Sequence, residues 1–421
     1  MSKIVSVIGG AGHVGLPFCL VLANHGYQVY GIDVNESAIK LIMEGTLPFI
    51  EEEGDRYLKN ALGKGRLIMT SDTSKIKESD IVIIVLSTPV DENLNPRIST
   101  LTQMVNDNSH YFKKGHLVIL RSTLFPGATE LIKQLIENNT GYSVGQDIFL
   151  VYAPERVVQG NAIKELQALP QLIGAFDDKS SQAAEEFFLT FLHDRCFKMS
   201  PVEAELGKLI TNVSRYVEFA LANEFYLIAE SFGANIHKII DACNYNYPRL
   251  NLPIPGPNVG GPCLYKDGFF LLERVPFNEI ISAAFRINEG MTMQIVSKLE
   301  HFPHTRKVTI LGMTYKPGSD DTRNSLSFKL KKQLERNAYE VVLVDPFLES
   351  YKDVGRMRGS DAVILMTSHK EFSNLQVILD VVDNDECLYV DIWGFWEKMK
   401  YKSRNGYFFG KEARLEYSNM R

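Results

Sequence analysis

The stretch Val5-Ser6-Val7-Ile8-Gly9-Gly10-Ala11-Gly12-His13-Val14-Gly15-Leu16-Pro17 constrains the fold more than any other part of the chain. An apolar run passes into a Gly-x-Gly-x-x-Gly turn and then into a helical pattern. That order builds a strand, a tight turn and a helix, the opening unit of a parallel sheet. Gly10, Gly12 and Gly15 allow a sharp turn and close approach of a pyrophosphate to the helix N-terminus, where unpaired N–H groups and the helix dipole favour anions. Ala11, His13 and Val14 complete the cofactor-binding turn. Asp33 ends the next apolar run, 18 residues past Gly15. A carboxylate there accepts hydrogen bonds from the adenosine ribose and repels a 2′-phosphate, so NAD is expected rather than NADP. The competing role for Asp33 is that of a helix cap.

At 421 residues the chain is too long for one core and long enough for two or three domains. Candidate strands at Ile4–Ile8, Gln28–Ile32, Leu67–Thr70, Ile81–Leu86, Leu117–Leu120 and Ile148–Val151 alternate with helical patterns, as in a doubly wound sheet. Ser200-Pro201-Val202-Glu203 then reads as a capping box with proline at the first helical position, and Gly233 as a stop. A helix of roughly 30 residues spans about 45 Å. Its apolar character on more than one face near Val217 to Ile228 suits a connector that also supports a subunit interface; a long core helix is the alternative. A second alternating region follows, with Val308–Leu311, Val341–Val344, Ala362–Met366 and Leu388–Asp391 as strands. The expected fold is α/β: an N-terminal Rossmann-type NAD domain (1–199), a central helical dimerisation domain (200–300) and a smaller Rossmann-like C-terminal domain (301–421).

A net charge of −6 disfavours general nucleic-acid binding. No run approaches the roughly 20 apolar residues a membrane span needs, and the chain starts a strand at once without a signal-peptide pattern, so a cytoplasmic protein is expected. The five cysteines and nine histidines show no metal-ligand spacing, and no metal is expected.

Chemistry concentrates in Gly260-Gly261-Pro262-Cys263-Leu264-Tyr265-Lys266-Asp267, where a thiol sits at a glycine-softened turn before an apolar helical run. A helix N-terminus and Lys266 both favour thiolate, which places Cys263 as a nucleophile; a buried structural cysteine is the alternative. Ser87-Thr88-Pro89 and Arg121-Ser122-Thr123 follow the fourth and fifth strands, where ligands of open parallel sheets bind, although such residues also make ordinary turns. Glu155, after the sixth strand, is either a solvated loop acid or a general base. Lys208 and Asn212, four residues apart, share a helix face and could stabilise an oxyanion; a salt-bridged surface lysine is the other reading.

In this order the pieces resemble the nucleotide-sugar 6-dehydrogenases, the family that includes UDP-glucose, GDP-mannose and UDP-N-acetylhexosamine dehydrogenases. The likeness runs from Gly10 to about Asp391 and includes Ser122-Thr123 with Pro126-Gly127, Pro154-Glu155, Lys208 with Asn212, and the run ending at Asp267. It continues through Leu311-Gly312-Met313-Thr314-Tyr315-Lys316-Pro317, Asp321-Thr322-Arg323 and Asp345-Pro346. The resemblance implies oxidation of the sugar's C6 hydroxyl to a uronic acid by two NAD in succession, through a Cys263 thiohemiacetal and thioester, in polysaccharide biosynthesis. It implies that Lys208 and Asn212 stabilise the C6 oxyanion, that Glu155 activates water with Thr123, and that Asp267 orients water and Lys208. Ser87, Thr88, Ser122, Thr123, Gln159, Lys266 and Arg323 join the cofactor site by the same resemblance. Glu155, Arg156, Val157, Lys208, Asn212, Gly256, Gly260, Tyr315 and Lys316 join the substrate site. Arg249 corresponds to an arginine that reaches a neighbouring subunit's sugar nucleotide, which implies a homodimer or higher oligomer with a shared active site.

The chain departs from the family pattern at Gly9, an additional glycine, at Gln159, where glutamate is frequent, and at Pro262. Pro154-Glu155-Arg156 is closer to the N-acetylhexosamine branch, and Lys266-Asp267 to the UDP-glucose branch. The substrate expected is a UDP-sugar, with a UDP-N-acetylhexosamine favoured and UDP-glucose the alternative. Two other classes compete: a two-electron hydroxyacid or 6-phosphogluconate-type dehydrogenase, which has no use for Cys263, and a non-catalytic NAD-binding protein.

Overall fold

The computed structural model describes residues 3–92, 95–272 and 278–396, with the backbone of Tyr407 and Phe408. It divides into two compact units, one of Met1–Thr211 with Phe269–Val275 and one of Asn212–Gly268 with Pro276–Arg421.

The first unit holds β1 (Ile4–Ile8), β2 (Gln28–Ile32), β3 (Leu67–Thr70), β4 (Ile81–Ile84), β5 (Leu117–Leu120), β6 (Phe149–Tyr152), β7 (Gln171–Ala175) and β8 (Cys196–Met199). Their order is β3-β2-β1-β4-β5-β6-β7-β8. Strands β4 and β5 are buried along their whole length, as continuous apolar runs must be when helices cover both faces of a sheet. All neighbours are parallel except β6 and β7.

The six expected strands are present within one or two residues, and two more extend the sheet. Neither of the added strands carries a strong strand signature. β7 contains Gln171 and Gly174, and β8, at the sheet edge, alternates so weakly that Phe197 is exposed. Gly174 is there for packing. A Cβ on it would lie 2.8 Å from both Pro201 Cα and Ala204 Cβ, so the start of the long helix rests directly on this strand.

The long helix runs Pro201–Ser231. Its capping box forms as expected: Ser200 N donates to Glu203 Oε2 at 2.8 Å, and Glu203 N donates to Ser200 Oγ at 3.4 Å. Gly233 ends it with φ +66°. One turn in, Glu205 is wholly buried. Its carboxylate accepts from Gly127 N at 2.6 Å and Thr129 N at 2.7 Å, at the start of the helix Ala128–Thr140. The N-cap of that helix is a glycine with no side chain to satisfy these donors, so Glu205 caps it from a distance. Burial raises the Glu205 carboxyl pKa above the ordinary value, against the opposing bonds from Thr129 and Gly127.

The second unit contains β9 (Lys307–Leu311), β10 (Glu340–Val344), β11 (Ala362–Leu365), β12 (Leu388–Val390) and β13 (Tyr407–Phe408), all parallel, in the order β10-β9-β11-β12-β13. The later part of the long helix is joined to the helix Glu279–Leu299 by two fully buried amides. Asn223 Nδ2 donates to Asn288 Oδ1 at 2.9 Å, and Asn288 Nδ2 donates to Tyr216 O at 3.0 Å. Asn223 Oδ1 in turn accepts from Gly256 N at 2.8 Å, so both the nitrogen and the oxygen of its amide have partners inside the core.

Glu205→Gln is expected to destabilise the protein by about 1–3 kcal/mol, because an NH2 group then replaces one acceptor oxygen and meets a backbone N–H. A shift of the first urea transition to lower denaturant measures this; an unchanged transition would show that the distant cap contributes nothing.

Candidate active site

The turn after β1 is built from four glycines with different tasks. Gly9 has φ +85°, and a Cβ on it would sit 2.1 Å from Val85 O, beside the end of β4. On Gly10 it would press against Gly31 Cα at 2.7 Å, and on Gly15 against Gly9 O at 2.0 Å. Only Gly12 is exposed, with no atom nearer than Gly9 O at 3.4 Å. The extra glycine is therefore the left-handed residue that turns the chain, Gly10 and Gly15 permit close packing, and Gly12 opens the cradle. His13 stacks on Phe49 with ring centroids 4.2 Å apart.

Asp33 directly follows β2. Its Oδ2 accepts from Ala11 N at 3.0 Å and its Oδ1 from Asn35 N at 3.0 Å, while Asn35 caps the next helix. The carboxylate is thus fixed to the glycine turn and remains half-exposed, with lone pairs left to accept ribose hydroxyls. A cradle open at Gly12 beside a partly exposed, oriented carboxylate fits a dinucleotide.

Three further strand ends reach this edge, at the point where the strand order reverses between β1 and β4. Ser122 Oγ accepts from Leu86 N at 2.9 Å, joining the segment after β4 to that after β5. Ser87 is exposed, Thr88 buried and Thr123 half-buried. After β6, Glu155 is buried against Arg121, which is itself 2 % exposed and lies over the rings of Phe18 at 4.5 Å and Phe188 at 5.5 Å. Arg121 also donates to Gln171 Oε1 at 3.1 Å. Glu155 Oε1 accepts from Arg156 N at 2.7 Å and Val157 N at 2.9 Å. Burial alone would raise the Glu155 pKa, but the Arg121 charge and hydrogen bond, with the two N–H groups, hold it below the usual carboxylate range. Glu155 is therefore an ionised, oriented carboxylate. Arg156 donates to Pro170 O, and Gln159 is half-buried.

Lys208 is 8 % exposed, and among the described residues no carboxylate stands within ion-pair distance of it. It is a buried lysine, not the salt-bridged surface residue that was the alternative. Asn212 lies one turn further along the same helix.

In the second unit, Gly260 (φ +102°) starts the helix Gly261–Asp267. Cys263 lies in its first turn and is exposed, whereas Asp267, one turn on, is fully buried. Asn212 Nδ2 donates to Asp267 Oδ2 at 2.6 Å, and Asp267 Oδ1 has no hydrogen-bond partner among the described residues. Tyr315 crosses the glycine turn so closely that a Cβ on Gly261 would meet its ring at 2.4 Å. Burial raises the Tyr315 hydroxyl pKa, and the Asp321 carboxylate adds to this. Lys316 and Lys266 are half-buried. Arg323 pairs with Asp321 at 2.7 Å. Gly256 is buried against Trp393. Arg249 is exposed, with its guanidinium 4.4 Å from the ring centroid of Tyr247 and its Nε donating to the Tyr247 hydroxyl at 3.1 Å.

Two buried groups here had no sequence signal strong enough to single them out. Arg121 stood in a turn read only for its hydroxyls. Asn258, which accepts from Leu326 N at 2.8 Å and donates to Thr314 O at 2.9 Å, follows Gly256-Pro257 in what reads as an ordinary loop.

Three family models match in order along the chain, all of the UDP-glucose/GDP-mannose dehydrogenase family: the NAD binding domain over residues 3–192, the central domain over 202–290 and the UDP binding domain over 309–398. The chain is 36 % identical over 376 residues to a UDP-N-acetyl-D-mannosamine dehydrogenase of Pyrococcus horikoshii, covering 87 % of this chain and 90 % of that protein. A solved structure of the UDP-D-ManNAc dehydrogenase from Pyrococcus horikoshii superposes with a TM-score of 0.89 at 34 % identity, over 97 % of this chain and 100 % of that one. The UDP-N-acetyl-mannosamine dehydrogenase of Staphylococcus aureus gives a TM-score of 0.86 at 28 % identity, over 97 % and 98 %.

The Asp33 geometry predicts a preference for NAD over NADP of well over about tenfold, or more than about 1.4 kcal/mol. Asp33→Asn is expected to narrow it, since the charge that repels a 2′-phosphate is gone. Steady-state rates with both cofactors check this, and an unchanged ratio in the variant would show that Asp33 does not face the ribose.

Proposed function

The chain belongs to the UDP-glucose/GDP-mannose dehydrogenase family and uses NAD, and from that premise we propose that it oxidises the C6 hydroxyl of a UDP-N-acetylhexosamine to the carboxylate. The observation that carries this reading is the helix Gly261–Asp267, which exposes a thiol at one turn and buries at the next an aspartate bonded to Asn212. The substrate is supported by the relatives named UDP-N-acetyl-D-mannosamine dehydrogenase. UDP-glucose is the alternative.

NAD, when bound, supplies the hydride acceptor for each of two oxidations, and the residues of the turn after β1 with Asp33 would hold it. Ser87, Thr88, Ser122, Thr123, Gln159, Lys266 and Arg323 would complete its surroundings. Once the C6 alcohol has become an aldehyde, the Cys263 thiolate adds to the carbonyl carbon and a C–S bond forms. Lys208 and Asn212 stabilise the negative charge that collects on the C6 oxygen; a buried ammonium with no carboxylate partner among the described residues is suited to that. After the second oxidation the carbon is held as a thioester. Water attacks it, Glu155 accepts one proton with help from Thr123, and the C–S bond breaks to release the thiolate and the carboxylic acid, which then loses its second proton to solvent. Asp267 Oδ1, buried and without a hydrogen-bond partner among the described residues, orients that water. Covalent attachment keeps the aldehyde from escaping. Glu155, Arg156, Val157, Gly256, Gly260, Tyr315 and Lys316 contact the sugar nucleotide in this reading, and Arg249 reaches the site of a second subunit.

The homodimer forms along the long helix, where Leu221, Phe225 and Ile228 are exposed large apolar residues at spacings of four and three. In domain terms, residues 1–199 bind NAD, 200–300 mediate dimerisation and 301–421 bind the sugar nucleotide. No helix among the described residues is long and apolar enough to cross a membrane. The enzyme works in the cytoplasm, making uronic acid precursors of polysaccharide.

Complete turnover is expected to give two NADH per sugar nucleotide with no free aldehyde, read at 340 nm with the product identified by mass. Cys263→Ser is expected to stay folded and bind both ligands while turnover falls at least about a hundredfold, on the order of 2.7 kcal/mol of barrier. One NADH at full conversion, or near-normal uronic acid from the variant, would eliminate the thioester route.

A further inference from the structure

The first two strands of each sheet end in the same device. Gly9 follows β1 with φ +85° and donates to Ile32 O at 2.8 Å; Gly312 follows β9 with φ +87° and donates to Val344 O at 2.8 Å. Asp33 follows β2 and Asp345 follows β10. Asp345 Oδ2 accepts from Met313 N at 2.6 Å and Thr314 N at 3.3 Å, and Oδ1 accepts from Phe347 N at 2.9 Å, as Asp33 accepts from Ala11 N and Asn35 N.

The two carboxylates differ on their outer side. Asp33 is half-exposed, whereas Asp345 is fully buried beneath His369, which is itself 0 % exposed. His369 Nε2 lies 3.2 Å from Asp345 Oδ2 and 3.0 Å from Thr314 Oγ1, and its Nδ1 lies 3.2 Å from Gly318 N. The Thr314 hydroxyl donates to Lys316 O at 3.0 Å. A carboxylate only accepts and a backbone N–H only donates, so one arrangement satisfies every contact: a neutral imidazole with its proton on Nε2, shared between Asp345 and Thr314, and Nδ1 accepting from Gly318. Both ends of the short segment Thr314–Gly318 are thereby tied to one ring, and between them stand Tyr315 and Lys316.

We propose that His369 is a positioning residue for sugar-nucleotide binding: it occupies the outer side of the second carboxylate, the side on which the first unit would take a ribose, and clamps the Thr314–Gly318 segment so that Tyr315 and Lys316 are presented to the ligand. This rests on the reading that Lys316 contacts the sugar nucleotide. The second unit so modified takes its ligand through the clamped loop, and its carboxylate is closed to a ribose diol.

The test measures UDP and NAD binding to the full-length protein by calorimetry, with kcat and KM for the UDP-sugar, in His369→Phe, His369→Asn, Thr314→Val and Lys316→Ala. His369→Phe keeps a ring but removes all three polar contacts, and is expected to weaken UDP binding by at least about tenfold, raising KM for the UDP-sugar while kcat and NAD affinity change little. Asn restores an acceptor near Nδ1 and is expected to recover part of the loss. Thr314→Val removes the hydroxyl at near-constant volume and is expected to weaken UDP binding in the same direction, which serves if the phenylalanine variant fails a thermal-melt check. UDP affinity within twofold of the parent in the His369 and Thr314 variants, with Lys316→Ala losing it, overturns the proposal alone. Unchanged affinity in Lys316→Ala overturns the underlying assignment of Lys316 and the proposal with it. Equal losses of NAD and UDP binding would reduce His369 to a general structural residue.

Discussion

A buried carboxylate bonded to two backbone amides holds the first unit's functional edge together. Glu205 cannot be wholly removed from water unless its oxygens are satisfied, and the free N–H groups of the helix Ala128–Thr140 satisfy them. The same contact ties the start of the long helix to the segment that follows β5, where Ser122 and Thr123 stand. One turn along that helix comes Lys208. The placement of a candidate catalytic lysine and a candidate catalytic threonine thus depends on one non-catalytic acid, whose raised pKa records the cost of burying it.

Buried charge is used differently around Glu155. Arg121 brings a full positive charge into the interior, stacked on Phe18 and Phe188, and Glu155 neutralises it while two N–H groups take its other oxygen. Such a pair gains little net stability, because desolvation offsets most of its attraction. What it provides is orientation: the carboxylate is held in a single position and stays ionised. Lys208 is the converse, a buried lysine with no carboxylate within ion-pair distance among the described residues.

Much of the framework was legible in residue order. Ten candidate strands, the helix from its capping box to Gly233 and the nucleotide turn were all recoverable, because apolar runs, a Ser-Pro-x-Glu start and a glycine stop act through local backbone preferences. Strands β7 and β8 escaped because Gly174 serves the packing of Pro201 and Ala204, and Phe197 sits on an exposed edge. Of the candidate site, Cys263, Asp267, Lys208, Asn212 and Glu155 could be named from spacing and family likeness. Arg121, Glu205 and His369 could not, since nothing adjacent in the chain marks them.

Local chemistry along the chain was enough to specify two nucleotide-type α/β folds, a long helix near the middle and a candidate ribose-binding carboxylate at Asp33, since each depends on residues within a few turns of one another. Which carboxylate is open and which is capped was settled by folding. Asp33 and Asp345 stand at the same place after the second strand of their sheets, and each accepts from the backbone N–H two residues further on. The difference comes from His369, 24 residues beyond Asp345, brought over it by the parallel pairing of β9 with β10 and β11. The exposure of a polar group is a property of what packs over it, and for Asp345 that neighbour arrives only when the sheet closes.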